Sequence, residues 1–176
     1  MRTLLMIGLI SFFTFTASSQ STAALQTFED AVNASRNGDA ATAGKKFETT
    51  LALIERGSAS DAFFAKVHYN IGVSRYQLGD LHGAAAHFEQ AIRYSRQRFP
   101  SAQQALGLTL IGLDDLENAE RTLLDAVKLD NRNADSWLAL GRLYLSMNDH
   151  AKAKRAMDRA RKLGAGKRES DRAFGG

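Results

Sequence analysis

The 176-residue chain has no cysteine. It can form no disulfide and offers no thiol nucleophile, so a disulfide-stapled scaffold and thiol chemistry are both excluded. Lipid attachment to a cysteine after its apolar N-terminal run is excluded for the same reason. Proline occurs once, at Pro100, and suits the first turn of a helix, where its missing N–H costs nothing. Histidine is scarce: His68, His82, His87 and His150. His82 and His87 are five apart, off the three-or-four spacing that sets two ligands on one helical face. Glycine-rich phosphate loops are missing, and so are the apolar runs of alternating period that mark strands. No set of residues combines a nucleophile, a base and an orienting group. These absences imply a protein that is not an enzyme and has no metal or cofactor. Basic and aromatic residues do not interleave as they would to stack on bases, so nucleic acid is not an expected partner.

What is present is helical periodicity. Trp137, Leu140, Gly141 and Tyr144 share one stripe of a helix, and Ala153, Met157 and Ala160 share a stripe of the next. Together they predict an αα-hairpin whose helices meet through small residues. Sliding this hairpin upstream finds Leu106-Gly107 with Ala119, Leu123 and Ala126, then Ile71-Gly72 with Ala84, Phe88 and Ala91. A fainter copy has Ala31, Ala43, Phe47 and Thr50. The turns inside the hairpins agree with this phase. They read Asn37-Gly38-Asp39, Leu78-Gly79-Asp80, Leu113-Asp114-Asp115 and Met147-Asn148-Asp149. Each supplies a residue that tolerates positive φ, then an aspartate to accept from the free N–H groups of the next helix.

The Trp…Leu-Gly…Tyr…Ala…Ala spacing resembles the tetratricopeptide repeat, whose unit is about 34 residues. The resemblance implies an all-α fold, a right-handed α-solenoid of about four such hairpins. The units fall at 24–57, 65–98, 100–133 and 134–167 within a domain at 20–167. The first interval is longer, and its excess falls near 58–64 as a loop and an extra helical turn. A Gly- and charge-rich basic tail follows at 168–176 and is expected to be mobile.

Residues 1–19 are of another kind. A short positive start, Met1-Arg2, leads into an apolar run from Leu4 to Thr16, and small residues follow at Ala17 and Ser19. This resembles a secretory signal peptide cut after Ser19, with a cut after Ala23 as the alternative. The run is shorter than the roughly 20 residues that span a bilayer, although an uncleaved anchor is the alternative. Export combined with such repeats predicts a periplasmic protein of the bacterial envelope.

In the resembled family the first helix of each hairpin lines a concave groove that holds peptides. The corresponding places here are Phe28, Val32 and Ser35; Lys66, Tyr69, Val73 and Tyr76; Gln104, Leu108 and Ile111; and Leu138, Arg142 and Leu145. Some members clamp a carboxylate there with Lys and Asn. This chain departs from that pattern, because Tyr69 and Val73 stand at those places. The groove it implies is apolar and aromatic, suited to a partner helix or an extended segment. The alternative is that Tyr69, Tyr76 and Leu145 pack between repeats. His68 stands where the repeat prefers Trp, which implies a packed ring.

Charge is uneven. Asp149 to Arg172 holds nine basic and four acidic residues, whereas the whole chain is only +4. Lys152, Lys154, Arg155, Arg159, Arg161 and Lys162 form a basic patch on the last helix. It reads as a solvated cap, or as a surface for anionic lipid or a second copy of the chain. Two functions follow as expectations. The first is a scaffold or adaptor that binds a protein or peptide partner during assembly of an envelope complex. The second is a peripheral membrane or self-oligomerising structural element acting through its basic C-terminal end.

Overall fold

A computed structural model describes residues 22–55 and 59–165. The expected signal peptide and the 168–176 tail lie outside them. Eight helices make up the described residues: α1 (22–36), α2 (Ala40–Glu55), α3 (Asp61–Gln77), α4 (Leu81–Tyr94), α5 (Pro100–Gly112), α6 (Leu116–Leu129), α7 (Ala134–Ser146) and α8 (His150–Lys162). They form antiparallel hairpins stacked in sequence order, an all-α solenoid. No described helix is long and apolar enough to cross a membrane.

The hairpin turns follow from one local device used four times. Gly38, Gly79, Asp114 and Asn148 adopt φ of 80°, 81°, 61° and 58°. The next residue's N–H then reaches back five residues along the chain, as from Asp80 to Arg75 (2.9 Å) and from Asp149 to Tyr144 (2.8 Å). That same residue caps the following helix through its side chain. Asp39 accepts from Thr42 N–H, Asp80 from Gly83, Asp115 from Asn118 and Asp149 from Lys152. One aspartate thereby satisfies groups on both sides of the turn.

The hairpins close on small residues. Ala43, Ala84, Ala119 and Ala153 are almost wholly buried, and Phe47, Phe88 and Leu123 fill the same place in three successive units. A Cβ added at Gly107 would stand 2.4 Å from Leu123 Cγ, and one at Gly141 would stand 2.6 Å from Met157 Cγ. Only glycine lets these helices approach so closely. Trp137 lies at the edge of the C-terminal core, and its indole N–H donates to Asn131 O at 3.0 Å.

The connections between hairpins differ. Asn133 caps α7 by accepting from both Asp135 and Ser136 N–H, while Ser60 caps α3 by accepting from Phe63. Helix α3 starts early, at Asp61, and α2 runs on to Glu55, which absorbs the longer first interval. Pro100 opens α5 at its first turn. Helix α4 is shorter than its pattern implies. The periodicity carries it to Arg96, but it stops at Tyr94, and Arg96 and Gln97 both take left-handed φ (52° and 65°). The longer α4–α5 connection is accommodated there.

Neighbouring first helices touch: α3 meets α5, and α5 meets α7. The second helices α4, α6 and α8 make no comparable contact with one another among the described residues. The row α3–α5–α7 is therefore the more closely spaced.

Candidate functional site

The groove places predicted from the sequence stand on α1, α3, α5 and α7, but they are not equally open. Phe28 belongs to the core. It is 7% exposed and packs against Phe47 (centroids 5.4 Å apart) and Phe63 (5.3 Å). Lys66 covers it from outside, with Nζ 5.0 Å above the Phe28 ring, so the surface at this point is the lysine. Val32 packs on the same cluster. Tyr69 is half-buried between Phe88 (5.8 Å) and Phe99 (5.0 Å), and burial pushes its hydroxyl pKa up. Val73 packs beside it. Leu108 and Ile111 lie partly buried against the C-terminal core, and Gln104 and Leu138 are also partly buried. Tyr76 and Leu145 are the open ones, at 43% and 45% exposure, and Arg142 is exposed with them. The inner row is thus a mostly apolar wall, interrupted by Lys66, Gln104 and Arg142. Packing with the core fixes its middle, while its Tyr76 and Leu145 ends stand free.

Beside this wall, α3 and the α4–α5 connection enclose an open cavity of about 810 Å³. Tyr69, Tyr94 and Phe99 supply aromatic surface, and Lys66, Arg96 and Arg98 supply positive charge. Asp61 also lines it and is bound to Arg96 at 3.5 Å. The cavity shares Lys66 and Tyr69 with the predicted groove. Arg96, Arg98 and Phe99 escape a reading by repeat position, because they lie in the connection. The available signal was the extra residue in the interval between the units starting at 65 and 100.

Sequence spacing also missed a histidine pair. His68 on α3 and His87 on α4 place their Nδ1 atoms 3.0 Å apart. One ring must donate and the other accept, so the pair shares a single proton at that contact. His68 stacks on Tyr94 (5.5 Å), which stacks on Phe64 (5.0 Å). Burial, then His87, then Arg93 pull the His68 pKa down to about 4. Burial and Arg75 lower that of His87, against the opposing pull of Glu48 and Asp80. Among the described residues no group of three His, Cys, Asp or Glu could hold a metal ion. The pair is a packed polar contact, and it gives the hairpin a titratable core.

The basic patch lies on α8, the outermost described helix of the stack. Lys152 is tied down by Glu120 (3.4 Å), Asp149 (3.5 Å) and the Tyr144 ring (5.0 Å). Arg161 pairs with Asp158 at 2.9 Å. Lys154, Arg155, Arg159 and Lys162 are exposed. Arg159, Arg161 and Lys162 also sit in the last turn, where cations meet the negative end of the helix dipole.

Profiles of one family, the tetratricopeptide repeat, match residues 65–98, 100–133 and 122–155, together just over half of the chain. The last of these is out of phase with the second, taking in most of α6 with α7. A curated relative, BBSome complex member BBS4 of Mus musculus, is 28% identical over 89 residues, 51% of this chain and 17% of that protein. The chain thus spans about a sixth of that relative's length. Among solved structures, YrrB, described as a TPR protein with an unusual peptide-binding site, has a TM-score of 0.69 at 18% identity, covering 89% of this chain and 76% of its own. BtubC from P. vanneervenii has a TM-score of 0.76 at 18% identity, over 83% and 65%. MamA from Desulfovibrio magneticus RS-1 has 0.70 at 19%, over 80% and 75%. At these identities the likeness is one of fold.

Proposed function

The chain belongs to the tetratricopeptide repeat family, and from that premise we propose that it is a non-catalytic protein-interaction module whose α3–α5–α7 wall receives a helix or extended segment of a partner. The observation that carries this reading is the exposure of Tyr76 and Leu145 at the two ends of the inner row, with Leu108, Ile111 and Leu138 half-open between them. A tyrosine combines apolar area with a hydrogen-bonding end, so Tyr76 is the expected anchor. YrrB, a protein of the same fold, is described as having an unusual peptide-binding site, which supports peptide binding as a function for this fold. The signal-like composition of residues 1–19 supports export to the periplasm and a role in assembling an envelope complex.

The test is crosslinking in the cell. A photo-crosslinker at Leu108 of the full chain should yield one dominant adduct, and combining it with Tyr76→Asp and Leu145→Asp should abolish that adduct while the far-ultraviolet spectrum stays helical. An adduct that survives both changes would sink the wall as the binding surface. Fractionating the cells tests the location, which fails if the protein stays with the cytoplasm.

One observation favours a second reading. The exposed Lys154, Arg155, Arg159 and Lys162 of α8 could dock on an anionic bilayer or on a second copy. Reversing Arg155 and Arg159 should then release the protein from phosphatidylglycerol vesicles or dissociate an oligomer. A monomer that ignores such vesicles removes this reading.

A further inference from the structure

The cavity between α3 and the α4–α5 connection has features that repeat packing does not account for. Its volume, about 810 Å³, falls within the roughly 300–1,000 Å³ of ligand sites and can hold a side chain with adjoining backbone. Three cations line it against one carboxylate. That carboxylate, Asp61, meets Arg96 at 3.5 Å with both side chains well exposed, a contact readily exchanged for another carboxylate. Lys66 rests on an aromatic ring, and Arg98 has no ion pair among the described residues.

The wall that carries Arg96 and Arg98 is held in an unfavourable backbone conformation. Arg96 and Gln97 adopt left-handed φ, which any Cβ resists and glycine accepts freely. At the four hairpin turns that conformation falls on Gly, Asp or Asn. Here it falls on an arginine, at the mouth of a charged cavity. The corresponding α6–α7 connection shows no positive φ. This helix end, closed by Gln97 N–H donating to Ile92 O at 2.9 Å, sets Arg96 and Arg98 along the cavity.

We propose that this cavity anchors an acidic stretch of the bound protein segment. One apolar side chain of that segment enters against Tyr69, Tyr94 and Phe99, and flanking carboxylates meet Lys66, Arg96 and Arg98. The proposal rests on the reading that the α3–α5–α7 wall binds a protein segment, which the cavity joins through Lys66 and Tyr69. Charge complementarity selects an acidic occupant over a basic or neutral one.

The test is selection of a random peptide display library on the purified full chain, followed by fluorescence polarisation with the enriched peptides. Enriched peptides should carry Asp or Glu on either side of an apolar residue, and their binding should weaken as salt rises. Arg98→Glu should weaken them about tenfold or more. Arg96→Gly is the second variant. It removes the charge and suits the left-handed backbone, so binding should weaken while the unfolding midpoint holds or rises. Peptides with no acidic bias, or that bind both arginine variants as they bind the parent, overturn the cavity. If those same peptides are lost with Tyr76→Asp and Leu145→Asp, the wall stands without it. Peptides that ignore all these changes, or an unenriched library, overturn the wall as well.

Discussion

Acidification should weaken this fold in a window set by one pair of rings. His68 and His87 meet through Nδ1 atoms 3.0 Å apart, and a second proton at that contact would set two N–H groups against each other. The His68 pKa falls from 6.5 to about 4 through burial first, then His87, then Arg93. The sign follows from this direction. Above 6.5 neither folded nor unfolded chain protonates the ring, and between 6.5 and 4 only the unfolded chain does, so stability drops as pH falls through that window. For one isolated ring with those values the loss from pH 7 to 5 is about 2 kcal/mol. Water reaches part of the pair, which brings the expected loss to about 1 kcal/mol, or roughly 2–4 °C in the unfolding midpoint. Asp30, Asp39, Asp80 and Asp149 are held below the usual carboxylate range by hydrogen bonds, so their contributions decline only at lower pH. The assay is thermal unfolding followed by circular dichroism at pH 7 and pH 5, at constant ionic strength. The double variant His68→Phe with His87→Leu should flatten the difference. A parent equally stable at both pH values, or a double variant with the parent's slope, would refute the reasoning.

Two further outcomes are expected from the packing and the caps. Gly107→Ala would drive a Cβ to 2.4 Å from Leu123 Cγ. Overpacking costs about 1–3 kcal/mol and the better helix propensity of alanine returns about 1 kcal/mol, so urea unfolding should shift to a lower midpoint. A variant as stable as the parent would mean that α5 and α6 separate freely. Asp149→Ala removes the acceptor for Lys152 N–H (2.9 Å) at the start of the last hairpin helix. The loss should be about 1 kcal/mol, read as faster amide exchange in α8 than in α6. Unchanged exchange would show that the cap contributes nothing at that position.

The helices, their turns and their phase were legible because the rules behind them act within a few residues. Gly38, Gly79, Asp114 and Asn148 answer a backbone requirement at their own positions, and each following aspartate caps a helix three residues on. Ala84, Phe88 and Ala91 announced a buried stripe by their spacing alone. The end of α4 was not legible, because its periodicity continues to Arg96 while the longer connection must still reach Pro100. Among the groove places, spacing ranked Phe28, Tyr69 and Tyr76 alike. Stacking separated them, burying Phe28 beneath Lys66, half-burying Tyr69 against Phe99 and leaving Tyr76 open.

From the sequence alone came the repeat, the all-α class, the caps and the wall's apolar character, each a matter of neighbours along one helix or across one turn. Tertiary structure decided how open each wall residue is, that His68 would find His87, and that Lys66, Arg96 and Arg98 would line one cavity. Those outcomes depend on how far helices distant in the chain rotate and slide against one another, and only the packed side chains between them set that.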